Sequence, residues 1–257
     1  MTSLARIATD LDMLLKTSEI PDYPQAINGI QVETGADIVK VAAAVDLRER
    51  TIHGAIDAGA NLLLVHHGLF WGGLQPLRGP YYRRIHSLLA SGVALYSSHL
   101  PLDAHSEIGN NALLARALGL EPSAGFARYE TIDIGVRGEQ RIATGELIAR
   151  ADAVARQWGG VARSSHAEPS RMTRRWAICT GAGASADTLR EAVEHEIDTL
   201  IVGEGPHWTA VDADELGLVI VYAGHYATET LGVRALAEHV GRQFDLPTVF
   251  IDVPTGL

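Results

Sequence analysis

The sequence predicts an α/β fold made of two similar halves. Three observations predict it. Apolar runs of strand length alternate with stretches of helical periodicity, the pattern of parallel strands joined by crossover helices. The order of those elements starts again near Arg174. The residues with metal-binding or acid–base chemistry stand directly after the apolar runs, where open α/β sheets bind their ligands.

Leu4, Ile7, Ala8, Leu11, Leu14 and Leu15 recur at helical spacing and predict a helix over residues 4–17. Pro21 and Pro24 mark the loop after it, since neither continues a helix. In NGIQV, Asn28 to Val32, Asn-Gly favours a turn with positive φ and IQV begins a strand. KVAAAVDL then reads as a strand, ERTIHGAIDAGA as a helix closed by Gly59, NLLLVHHG as a buried strand and LRGPYYRRIHSLLASG as a helix. GVALYSSH, Gly92 to His99, is the next strand, followed by a loop and a helix near GNNALLARALGL. Between about residues 121 and 175 the pattern weakens: IDIGVRGE reads as a strand into a turn, GELIARADAVARQWGG as a helix ended by two glycines, and SSHAEPSR as a loop. Beyond it come RRWAICTG as a strand, SADTLREAVEHE as a helix capped by Ser185, and DTLIVGEG as a strand. A short ADELG segment, the strand LVIVYAGH and the long helix ATETLGVRALAEHVGRQF complete the series. No low-complexity run or long linker interrupts the chain. A division near residue 125 gives a first lobe of 1–125 and a second of 126–257.

The chain has 257 residues, 47% of them hydrophobic, enough for one large domain or two small ones. MTSLARIATDLDMLLK has no basic segment followed by an apolar one, so no signal peptide is expected. The longest apolar run, around LGLVIVYAG, is too short for a bilayer, and no membrane partner is expected. Cys179 is the single cysteine, which excludes an internal disulfide and fits a reducing, cytoplasmic setting. The formal charge of −10 argues against non-specific nucleic-acid binding, which runs on phosphate neutralisation. Arg83-Arg84 and Arg174-Arg175 read as solvated faces.

The halves can be laid on each other. LLLVHHG lies over TLIVGEG, and VALYSSHLPLDAH over VIVYAGHYATETL. His67 then matches Glu204, His99 matches His225, and Asp103 matches Glu229, each of the last two carboxylates four residues after its histidine. Two such halves facing each other would collect His66, His67, His99, Asp103, Glu204, His225 and Glu229 in a shared cleft. Imidazoles mixed with carboxylates suit zinc, iron or manganese without a thiolate. Neighbouring strand residues point to opposite sides, so His66 and His67 are expected to serve two ions, one each. His225 and Glu229 straddle a helix start, where a spacing of four puts both on one face. Pro101 stands between His99 and Asp103, so that segment is expected to be a loop. Taken singly, several of these residues have plainer readings: HH as a hydrogen-bonded pair, His99 as a core histidine, Asp103 as a turn residue. Glu229 could be a helix-start carboxylate, and Glu204 stays open between ligand, general base and solvated carboxylate.

GAGASA, Gly181 to Ala186, fits a dinucleotide-binding pattern, but two turn glycines are common and the matching VDLRER has none, so no such cofactor is expected. Trp71 and Trp208, just past equivalent strands, read as packing residues at a domain or subunit contact. The buried position expected for Cys179 makes it a small apolar residue.

NGIQV, VHHGLFW, SSHLPLDAHSEIGNNALLARALGL, the CTGAGAS turn and GHYATETLGVRALAEHV together resemble the Nif-three-like dinuclear metal-centre family, the GTP cyclohydrolase I type 2 homologues. The resemblance spans nearly the whole chain. It implies two intertwined, structurally similar α/β lobes with two divalent metal ions between them. It implies five main ligands, which fall here on His66, His67, Asp103, His225 and Glu229, with His99 beside the metals. It also implies a ring-shaped homohexamer. The chemistry of that donor set points to a metal-dependent hydrolase acting on an anionic small molecule, with His99 or Glu204 moving protons, and the resemblance implies a purine nucleotide as that molecule. The other reading is a metal-binding assembly or partner-binding protein that catalyses nothing.

Overall fold

The computed structural model describes residues 2–257. In chain order the elements are α1 (Leu4–Leu15), β1 (Gly29–Val32), β2 (Val41–Asp46), α2 (Glu49–Asp57), β3 (Leu62–His67), α3 (Gly79–Ser91), β4 (Ala94–Ser97) and α4 (Leu100–Asp103). Then follow α5 (Asn110–Ala117), β5 (Ala124–Tyr129), β6 (Ile132–Ala143), α6 (Thr144–Gln157), β7 (Arg163–Ser164), β8 (Met172–Cys179) and α7 (Ala186–Glu194). The last are β9 (Thr199–Val202), α8 (His207–Glu215), β10 (Val219–Tyr222), α9 (His225–Phe244) and β11 (Thr248–Phe250). The fold is α/β, in two compact units, and each unit takes chain from two places: residues 1–102 with 232–253, and 103–231 with 254–257.

The first unit is a five-stranded sheet in the order β1-β4-β3-β2-β11. β11, β2, β3 and β4 are parallel and β1 runs antiparallel along β4. The unbroken apolar run Leu62–Val65 is buried along its whole length, as a central strand of a parallel sheet must be. Ala42, Ala44, Leu63, Val65 and Leu95 pack against Ile52 and Ala55 of α2 and Tyr81 and Leu88 of α3. The alanines of β2 let α2 approach the sheet closely.

The second unit is a six-stranded sheet in the order β5-β6-β8-β9-β10-β7. β8, β9 and β10 are parallel, and β7 lies antiparallel on β10. The run β7-β10-β9-β8 therefore repeats the connectivity of β1-β4-β3-β2, which is the internal duplication expected from the sequence. The units differ on the far side: a parallel β11 in one, the antiparallel β6 and β5 in the other.

Several local expectations are corrected. Residues after His99 form the helical turn α4 rather than a loop, because proline is accommodated in the first turn of a helix, where its missing N–H costs nothing. α8 carries no helical signal in the sequence, because its buried face offers only Thr209 and Ala213. β6 runs on to Ala143 instead of turning at residue 139, with a bulge between Glu139 and Ile142 absorbing the irregular pattern. β5, β7 and β11 are further strands that the sequence pattern does not predict; β7 and β11 are two and three residues long, too short to carry periodicity.

Gly135, in the middle of β6, is required by packing: a Cβ there would collide with the Ile178 carbonyl oxygen of β8. Gly135→Ala should destabilise the protein by roughly 1–3 kcal/mol, the usual cost of overpacking, read as a lower urea midpoint with an unchanged slope. A midpoint equal to wild type would show that β6 and β8 separate at no cost.

Candidate metal-binding site

In the first unit, β3 ends in His66 and His67. The expectation that they point apart is corrected: their ring centroids are 4.8 Å apart. Pairing of β3 with β4 stops at Val65 and Ser97, so beyond that register the chain is no longer bound to a flat, alternating pleat on that side. His99, two residues past β4, brings a third ring within 4.9 Å of His66 and 5.7 Å of His67. One candidate ligand atom from each of the three lies within 4.8 Å of the others, close enough for one ion.

Each of these imidazoles has its Nδ1 engaged. His66, fully buried, places Nδ1 2.9 Å from the Ser98 carbonyl oxygen. His67 has Nδ1 2.8 Å from Asp46 Oδ1, across the β2–β3 register pair. His99 has Nδ1 2.8 Å from Asp22 Oδ1. A ring that donates Nδ1–H carries its lone pair on Nε2. Trp71 packs edge-on to His99 with centroids 4.7 Å apart, so it serves the histidine cluster directly.

The NGIQV segment positions this cluster. Ile27 and Gly29 take positive φ, +42° and +102°, which turns the chain back on itself. Asn28 Oδ1 accepts from the His99 backbone N–H at 2.7 Å, and its amide donates to Asp22 Oδ2 at 2.8 Å. Gln31 donates to the carbonyls of Ala26 and Ile27 and accepts from Leu69 N–H at 2.7 Å, tying the loop to the residues after HHG.

In the second unit, α9 begins at His225 immediately past β10, and Glu229 lies one turn on. His225 Nε2 is 3.1 Å from Glu229 Oε2, so the spacing of four does place both on one face. Glu204, after β9, puts Oε1 2.7 Å from His225 Nδ1. Glu204 is thus beside His225, holding it by the same nitrogen that Asp46 holds on His67. Gly181 takes φ +62°, and a Cβ there would collide with the Glu229 carboxylate; a Cβ on Gly183 would collide with the Cys179 carbonyl. The glycines of GAGASA make room for packing. Asp103 is buried, with Oδ1 accepting from Asn110 Nδ2 at 2.8 Å. Asn111 donates to Ile134 O at 2.7 Å and accepts from Thr180 N–H at 2.9 Å, linking α5 to the turn beneath Glu229.

The sequence reading missed Asp22, Asp46, Asn110 and Asn111. Asp46 had a signal, a carboxylate ending an apolar strand like Glu204. Asp22 had none, since it sits in a loop between two prolines.

Electrostatics follow the contacts. Burial opposes the charged form of His225, but Glu229 and Glu204 outweigh it and push its pKa up to about 9. Burial would raise Asp22, yet the hydrogen bond and charge of His99, with the donors of Asn28 and Leu100, hold it below the usual carboxylate range. The Cys179 thiol is pushed up by burial first, then by Asp103, Glu191 and Glu229, which keeps it protonated and inert.

Duplicated α/β units with oriented imidazoles and buried carboxylates past their parallel strands define a protein able to bind a metal ion. The comparisons give the family. The Duf34/NIF3 (NGG1p interacting factor 3) family profile matches residues 3–256, and the chain belongs to that family. A relative in Deinococcus radiodurans, named GTP cyclohydrolase 1 type 2 homolog, is 40% identical over 91% of this chain and 88% of its own. Another of that name in Pyrococcus abyssi is 40% identical over 98% of both chains. Among solved structures, TTHA1606 from Thermus thermophilus is 34% identical with a TM-score of 0.86, covering all of both chains. Among the described residues no helix is long and apolar enough to cross a membrane.

In chelator-treated protein the His225 ring should titrate near pH 9 by NMR. Its contribution to stability is full below the unfolded value of about 6.5 and is lost as pH rises through the folded one. Glu204→Gln should move the midpoint down toward the unfolded value; a midpoint that stays near 9 would leave Glu229 as the sole cause.

Proposed function

We propose that this protein holds two divalent metal ions and hydrolyses a small anionic molecule such as a purine nucleotide. One observation carries the reading. His66, His67 and His225 each have Nδ1 on an acceptor, Ser98 O, Asp46 and Glu204 respectively. Metal-ligating histidines almost always engage their second nitrogen in this way, which fixes ring direction and raises ligand basicity. The donor set fits: neutral imidazoles and carboxylates, with no thiolate needed, suit zinc, iron or manganese.

The ligands in this reading are His66, His67, Asp103, His225 and Glu229, shared between two ions. Glu229 would be the residue to hold both ions, because a carboxylate has two oxygens and a neutral imidazole one lone pair. Gly181 behind Glu229 and the helical turn from His225 support its direction. Divalent ions bound here would supply Lewis acidity and an activated water. Two such ions carry more charge than their own carboxylate ligands, Asp103 and Glu229, so an anionic group would bind on the ions themselves, while Asp22, Asp46 and Glu204 keep the surrounding shell negative. The purine assignment rests on the relatives' name. His99 moves protons, and Glu204 acts by holding His225. Trp71 and the glycines after it belong to a surface that we assign to a homohexamer.

Glu229→Gln keeps the side-chain shape and removes the charge between the ions. It should lose at least one ion per chain by elemental analysis while its circular dichroism stays that of wild type. Retention of two ions at wild-type affinity would move the bridge to Asp103 or Glu204. Wild-type protein should release product from GTP or a related nucleotide, and His66→Ala should abolish turnover while remaining folded. Light scattering should report a hexamer. Metal-loaded protein that turns over no nucleotide would favour a binding assembly instead.

A further inference from the structure

We propose that Asp22 is the positioning residue of His99, and that Asn28 sets which way the Asp22 carboxylate faces. The inference rests on the reading above, in which His99 moves protons.

His99 and Asp22 are both nearly out of solvent, with side chains 12% and 6% exposed, so their 2.8 Å contact is not a screened surface pair. Asp22 uses every direction it has. Oδ1 accepts from His99 Nδ1 and from the Tyr23 backbone N–H at 2.7 Å. Oδ2 accepts from Asn28 Nδ2 at 2.8 Å and from the Leu100 backbone N–H at 2.9 Å. Asn28 closes the ring by accepting from the His99 backbone N–H. The carboxylate is thus fixed by three donors other than the imidazole, and the one acceptor oxygen it turns to His99 demands Nδ1–H. That demand puts the His99 lone pair on Nε2, the nitrogen remaining for the cluster with His66 and His67. In that tautomer Nε2 can accept a proton from an attacking water and return the same proton to the leaving group, with Asp22 ionised throughout.

The duplication explains why this carboxylate comes from a loop. His225, the counterpart of His99, is held by Glu204 from the end of β9. The corresponding end of β3 carries His67, itself a proposed ligand. The carboxylate that orients His99 therefore had to come from elsewhere, and the loop between α1 and β1 supplies it.

Asp22→Asn separates the functions of the two oxygens. Its NH2 must face either His99 or the donors of Asn28 and Leu100, and either choice opposes like to like. The double variant Asp22→Asn with Asn28→Asp restores most of the balance. The new carboxylate at position 28 accepts from the new amide at position 22 and still accepts from the His99 backbone N–H. The amide oxygen at position 22 is then left for Nδ1. The test is 15N-detected NMR of the His99 ring together with turnover of GTP and metal content. Wild type should show Nδ1–H. D22N should shift His99 toward Nε2–H and lower kcat roughly 10- to 100-fold, with KM and metal content within about twofold of wild type. The double variant should regain Nδ1–H and most of kcat. A wild-type tautomer in D22N overturns the proposal, as does a shifted tautomer with unchanged kcat, or loss of metal in D22N. Should D22N not fold, the double variant decides: a folded protein with Nε2–H at His99 overturns it. The tautomer needs no substrate. A shifted, rescuable tautomer in a protein whose wild type turns nothing over would leave Asp22 as the orienter of His99 and would remove the hydrolase reading alone.

Discussion

The engaged Nδ1 of each histidine is the contact on which the rest of the site depends. An imidazole with two open nitrogens can rotate and exchange tautomers. One that donates Nδ1–H to a fixed acceptor presents Nε2 in one direction only. Here the acceptors are a strand-end carbonyl for His66 and carboxylates for His67, His99 and His225. All four histidines stand at or beyond the carboxyl ends of strands, where the backbone ladder ends and side chains must supply the missing structure. A hydrogen bond at each Nδ1 lowers the cost of holding these imidazoles so deep.

The two units solve the same problem with different parts. Both place a histidine directly beyond the third parallel strand and a partner beyond the second. In the second unit that partner is Glu204, which orients His225. In the first it is His67, which needs orienting by Asp46. One donor position gained is one orienting position lost, and the loop around Asp22 makes up the difference. The asparagines do equivalent work on each side: Asn28 ties Asp22 to the His99 backbone, and Asn110 and Asn111 tie Asp103 to the second unit's core.

Glycine marks where backbone and functional side chains approach most closely. Gly181 lies against Glu229, and Gly203 has the Gly181 carbonyl, Thr228 Oγ1 and His225 Cα within 2.8 Å of where a Cβ would stand. Thr228 Oγ1 accepts from Gly181 N–H and donates to His225 O, which pins the first turn of α9 to that glycine turn. The GAGASA pattern, which resembles a phosphate cradle in the sequence, is the floor under a carboxylate.

The α/β class, the duplication and the residues with chemistry were legible in the sequence. Apolar strand runs and helical spacing are local signals, and His66, His67, His99, Glu204 and His225 each follow such a run. The spacing of His225 and Glu229 could be read because a helix has a fixed period. Tertiary structure decided what local signals cannot hold: that α4 is helical through Pro101, that His66 and His67 converge, and that GAGASA serves packing. It also decided which acceptors hold the imidazoles. Asp46 reaches His67 across a strand pair, Asp22 reaches His99 across 77 residues of chain, and Glu204 reaches His225 across 21. Such pairings are set by where strands end beside one another in the sheet and, for Asp22, by where a loop folds back onto a strand end, and no period in the sequence encodes either.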